Sequence, residues 1–85
     1  MSKPVVWSHH AKQQLSYRGA AEEEAIDAVR SSQWRPAELG RLECKKDFAY
    51  NQTWNGKHYR TKQVKPVFVE EEKEIVIVTV YVYYF

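Results

Sequence analysis

Residues 74–84 read EIVIVTVYVYY, and this run decides the fold. Ten of its eleven side chains are β-branched or aromatic, a composition that suits a pleated strand and crowds a helix. Strict alternation sets Val76, Val78, Val80 and Val82 on one face and Ile75, Ile77, Thr79, Tyr81 and Tyr83 on the other. Both sets are largely apolar, so the strand is expected to be central, with helices over at least one face. Should helices leave the second face open, a homodimer through this C-terminal strand face is expected to cover it.

Working back from this run, residues 70–73 are an acidic turn, and a second strand runs toward it from Lys57. Pro66 interrupts that strand and predicts a bulge or an edge position nearby. Asn55 and Gly56 provide the two positive φ angles of a tight type I′ hairpin, so the residues before them return antiparallel. There Leu42, Cys44, Lys46, Phe48 and Tyr50 alternate with more polar neighbours, which predicts a strand with one wet face.

The first forty residues read differently. Val5–Trp7 suits a short strand, and Ser8 is placed to cap a helix over 9–18, with Ala11, Gln14, Leu15 and Arg18 along one stripe and Gly19 as its stop. A second helix is expected over 21–31, with Glu22, Glu23 and Glu24 at its positive end and small Ala21, Ala25 and Ala28 beside Val29. Residues 34–40 read as a connection, since Pro36 disfavours a helical Arg35. The expected architecture is α+β in a single domain: a short N-terminal strand, two helices, then a three-stranded antiparallel meander, the helices packed on one sheet face.

Composition narrows the chemistry. One cysteine in 85 residues forms no internal disulfide, and three scattered histidines with it do not match a zinc site, so neither metal nor other cofactor is expected. No apolar run nears the length of a membrane span, and only Val5 and Val6 follow Lys3 and Pro4 at the start; a cytoplasmic protein is expected. The net charge of +2 conceals a basic middle: residues 41–65 hold seven Lys and Arg against Glu43 and Asp47, interleaved with Phe48, Tyr50, Trp54 and Tyr59. That pattern suits phosphates and stacked bases, and it equally suits a strand surface kept soluble by charge.

His10 and Ala11, Leu15, Arg18 and Gly19, then the acidic start at Glu22–Glu24, resemble a small bacterial family, domain of unknown function 4258. Lys62, Gln63 and Val64, and Val78, Thr79, Val80 and Tyr81, resemble its closing strands, so the likeness runs over residues 5–85. The family is similar to compact ribonuclease toxins of the RelE and barnase-like group. The resemblance implies two helices on a meander sheet, RNA as a partner and an antitoxin protein as another. The chain departs from the family in having Gln14 where an Arg is common, and Ala20 and Ala21 where an apolar residue and a capping Ser are usual.

Metal-independent RNA cleavage needs a base, an acid and cations around one phosphate. His10 is the candidate base. Arg18 lies about 80° round the same helix, close enough to border a common groove. Lys46, Arg60 and Lys62 are the candidate phosphate holders on the sheet, and Tyr81 the candidate acid or donor. Each has a plainer role open to it: packing for His10, capping or pairing with Glu22 for Arg18, a core or dimer stripe for Tyr81. A catalytically inert binding or interaction module is the competing expectation. Lys45 and Lys46, as strand neighbours, cannot share a face. Convergence of His10, Arg18 and the strand cations on one concave surface separates the two.

Overall fold

The computed structural model describes residues 3–85. A short strand, β1 (Val5–Trp7), runs into Ser8, whose Oγ accepts the Ala11 N–H at 3.0 Å and opens helix α1 (His9–Arg18). Gly19 ends it with a left-handed φ of 74° and its N–H on Leu15 O. Helix α2 (Glu22–Ser31) begins after Ala21, which has no side-chain acceptor to offer. Glu24 supplies the return half of a capping box, its Oε1 accepting the Ala21 N–H at 2.9 Å.

The chain continues through β2 (Arg35–Pro36), a 3₁₀ turn at Glu38–Gly40, β3 (Leu42–Glu43), β4 (Lys46–Trp54), β5 (Lys57–Glu70) and β6 (Ile75–Tyr84). These strands form one mixed sheet in the order β1, β6, β5, β3, β2, with β4 also paired to β5. The expected meander is present as β4, β5 and β6. Three short strands extend it: β1 lies parallel to β6, and β2, within the expected connection, pairs with β3. The β4–β5 turn has positive φ at both Asn55 and Gly56 (51° and 82°), the type I′ requirement.

Two departures from simple alternation shape everything after residue 41. The strand expected over 42–50 is broken at Cys44 and Lys45: β3 pairs with Val67 and Phe68, and β4 takes up pairing at Val64. Pro66 sits opposite the break. Its carbonyl accepts the Cys44 N–H, so the N–H it lacks also faces the interruption in the ladder.

The second departure is in β6. Val67 pairs with Thr79 and Phe68 with Ile77, leaving Val78 as a bulge. The bulge reverses the alternation, so Ile75 and Ile77 share the helix-covered face with Val80, and the expected grouping of Ile75 and Ile77 with Tyr81 and Tyr83 is corrected. Tyr81 and Tyr83 face away from the helices, 39% and 46% exposed.

One core joins the layers. Ala11 and Leu15 of α1, and Ala25, Ala28 and Val29 of α2, pack on Val64, Phe68, Ile75, Ile77 and Val80. The three alanines are fully buried, which lets both helix backbones lie close to the sheet. Trp34 closes one side, edge-on to Phe68 at 4.9 Å, with its indole N–H on Val29 O at 2.8 Å.

Gly19 meets the sheet more closely than any side chain allows. A Cβ there would stand 2.7 Å from the Trp54 ring and from the Tyr84 hydroxyl. Gly40 has a similar φ of 72° with open space around it. Gly19→Ala is expected to lower unfolding free energy by about 2–4 kcal/mol, combining left-handed strain with overpacking. Gly40→Ala is expected to lose only the backbone part, about 1–2 kcal/mol. Urea midpoints for the two variants check this, and equal losses would remove the close approach as the cause.

Candidate nucleic-acid interface

The strand cations divide into those that the fold holds and those that it leaves free. Lys62 is the most committed, 8% exposed. Its ammonium lies 2.8 Å from Glu24 Oε1, donates to Gly19 O at 3.1 Å and sits 5.3 Å from the Tyr50 ring centre. A buried charge needs such partners to be tolerated at all. Lys46 points to the same layer, donating to Asp27 Oδ2 at 2.8 Å and Ser31 Oγ at 3.1 Å. The Lys46 hydrogen bond holds the Asp27 carboxyl below its ordinary value. Lys65 pairs with Glu43 at 3.2 Å.

Arg18, in the last turn of α1, reaches across to β6. Its Nη1 donates to Val80 O at 3.1 Å, and its guanidinium lies 5.0 Å from the Tyr81 ring centre. Arg18 and Tyr81 are thus brought together, by a cation–π contact that braces the edge of β6. His10 is exposed in the first turn of the same helix, about 12 Å back along its axis. Gln14, between them, has a buried Oε1 with no hydrogen-bond partner among the described residues. Arg60 is exposed on the β4–β5 hairpin. The six expected site residues do not line one groove: Lys46 and Lys62 face the helices, while the bulge at Val78 turns Tyr81 to the opposite face. There Tyr81 borders a recess of about 330 Å³ together with Glu38, Leu39, Arg41 and Glu43.

The free cations lie elsewhere. From Phe48 to Val69 the chain contains no carboxylate. Pairing of β5 toward β6 begins at Thr61, which exchanges both backbone hydrogen bonds with Phe85, so residues 51–60 project from the sheet as a two-stranded ribbon. Lys57, His58 and Arg60 are exposed along it, and none has an ion-pair partner among the described residues. Asn51, Gln52, Thr53 and Asn55 add exposed hydrogen-bonding groups. Asn51 takes a positive φ of 49° where the register shifts between Ala49 and Gln52, and such a bulge increases the ribbon's twist.

An aromatic cluster anchors this ribbon. Tyr84 stacks on Trp54 at 5.0 Å and meets Tyr50 at 5.1 Å and Tyr59 at 5.7 Å. Its hydroxyl donates to Arg18 O at 2.6 Å, tying the hairpin base to the end of α1. Burial, with smaller contributions from Tyr50 and Glu24, pushes the Tyr84 hydroxyl up to about 12.

The basic character of residues 41–65 belongs to the sequence, but its division into engaged and free cations does not. Lys57 was countable from sequence; that it is free while Lys46 and Lys62 are engaged depends on carboxylates that folding brings from α2. Among the described residues no group of His, Cys, Asp and Glu side chains is arranged to hold a metal, and no helix is long and apolar enough to cross a membrane. Comparisons of the chain with family models, curated proteins and solved structures find no match.

Two expectations follow from these contacts. Lys62→Ala strands the Glu24 carboxylate and is expected to cost about 3 kcal/mol, against about 0.5 kcal/mol or less for Arg60→Ala. Similar denaturation midpoints for the two would show that Lys62 is as free as Arg60. Tyr84→Phe is expected to be less stable than wild type by about 1 kcal/mol near neutral pH. The Tyr84 value is raised in the folded state, so its stabilisation is complete below the ordinary value of 10 and declines as pH rises toward about 12. The gap between the two proteins should therefore close across that window, as measured by urea titrations at stepped pH; a constant gap would contradict the assignment.

Proposed function

We propose that this chain binds RNA through the β4–β5 hairpin and does not cleave it. The observation that carries the reading is the carboxylate-free run 48–69, with Lys57, His58 and Arg60 exposed at its projecting end. Alternation puts Lys57 on one face of the ribbon and His58 and Arg60 on the other, so a strand that wraps the narrow ribbon meets cations on both faces without opposing charge. The exposed amides of Asn51, Gln52 and Asn55 match base edges and the 2′-hydroxyl, which both donates and accepts. The resemblance to domain of unknown function 4258 that the sequence carries implies the same ligand class. Cleavage would require an acid and a base on either side of one phosphate. His10 stands at the far end of α1 from Arg18, and Tyr81 stacks under Arg18 on the face away from Lys46 and Lys62, so among the described residues the candidate base and acid do not flank a common phosphate site.

Fluorescence anisotropy with a single-stranded RNA across a salt series tests this directly. Wild type should bind with a steep salt dependence, and Lys57→Gln with Arg60→Gln should weaken binding and flatten the slope by about 1.4, two contacts' worth for a single strand. His10→Ala should bind like wild type, and incubation with RNA in EDTA should yield no new cyclic-phosphate ends. Cleavage that disappears in His10→Ala would overturn the proposal in favour of a ribonuclease.

A further inference from the structure

The break between β3 and β4 opens a recess of about 350 Å³ lined by Gln33, Arg35, Glu43, Cys44, Lys45 and Lys65. We infer that it receives a phosphate monoester, supplied by the free 5′ end of the bound RNA strand; this rests on the RNA-binding reading above. Its volume falls in the range of small-molecule sites.

The charge in the recess is unbalanced. Lys65 is neutralised by Glu43 at 3.2 Å, while Arg35 and Lys45 are exposed with no ion-pair partner among the described residues. Glu43 also stands directly opposite Arg35 across the β2–β3 pair, so the recess holds three cations against one carboxylate; that net of two positive charges matches a terminal monoester, which carries close to two negative charges at neutral pH, better than an internal diester with one. Arg35 contributes a planar fork suited to phosphate oxygens, Lys45 a point charge and Gln33 a neutral donor. Cys44 does not compete, since burial, with Glu43, pushes its thiol up to about 12 and keeps it uncharged.

The fold creates this arrangement. Because the strand is interrupted opposite Pro66, Lys45 lies in the gap while its neighbour Lys46 turns to Asp27. The recess and the hairpin tip then stand at opposite ends of β4, about 30 Å apart along nine strand residues. One RNA strand following β4 would reach both, passing the exposed Asp47 carboxylate next to the recess.

Paired oligonucleotides of one sequence, with a 5′-phosphate or a 5′-hydroxyl, test the inference, with adenosine 5′-monophosphate as competitor. Wild type should bind the phosphorylated strand about tenfold more tightly, the scale of one or two charge-assisted hydrogen bonds. Arg35→Gln with Lys45→Gln should abolish that advantage without weakening the hydroxyl-ended strand, whereas Lys57→Gln with Arg60→Gln should weaken both equally. Glu43→Gln should enlarge the advantage. Equal binding of the two strands by wild type would overturn the recess and leave the hairpin reading standing. If adenosine monophosphate binds at the same concentrations as the phosphorylated strand, the site takes free mononucleotides and the 5′-end assignment is overturned. Binding of neither strand would overturn the RNA reading and the 5′-end assignment with it.

Discussion

A buried ammonium holds the two layers of this protein in place. Lys62 rises from β5 to the point where α1 stops and α2 starts, and it bonds both sides of that junction, Gly19 O and Glu24 Oε1. The same Glu24 oxygen caps α2 through the Ala21 N–H, so one carboxylate oxygen serves the helix start and the sheet contact together. Removing the ammonium would leave a carboxylate and a carbonyl short of donors in a poorly solvated place, which is costlier than never having built the pair. Around this junction the remaining close contacts assemble: Trp54 and Tyr84 against Gly19, the Tyr84 hydroxyl on Arg18 O, and Tyr50 beneath the Lys62 ammonium.

That structural role decides where function can reside. A cation bound on two sides inside the fold is not available to a phosphate, and Lys46 is similarly engaged by Asp27 and Ser31. Of the strand-region cations without an ion-pair partner among the described residues, Lys57 and Arg60 lie on the projecting hairpin and Arg35 and Lys45 at the β3–β4 break; Lys12, Arg30, Arg41 and Lys73 are unpaired elsewhere on the surface. The hairpin can carry Lys57, His58 and Arg60 without acidic neighbours because its stability comes from the aromatic anchor at Tyr84 and from β-ladder bonds, not from ion pairs. The face away from the helices is different in kind, with Tyr81 held between Arg18 and Lys65 and Tyr83 exposed beside it.

Signals that act over three or four residues were legible in the sequence. Ser8 as a cap, Gly19 as a stop and Asn55–Gly56 as a type I′ turn each rest on a local conformational requirement, and the two helices and the meander followed from them. The bulge at Val78 was not legible: in a run apolar on both faces, one extra residue changes no pattern of polarity, yet it exchanges the partners of Ile75 and Ile77. The parallel β1 and the split of β3 from β4 depend on pairing across the sheet, and only Pro66 hinted at the latter. For the site, the basic character of residues 41–65 was readable from charge alone. Which of those cations are free was not, because Glu24 and Asp27 reach Lys62 and Lys46 only once α2 has docked.

The fold divides its strand cations into a set engaged inside the structure and a set left free to bind. Backbone amide chemical shifts of the isotopically labelled protein, followed as a single-stranded RNA is added, read that division residue by residue. Shifts should concentrate at residues 51–60 and around Arg35 and Lys45, with the amides of His10 and Lys62 unmoved. Shifts centred on His10, Arg18 and Lys62, with a silent hairpin, would contradict it.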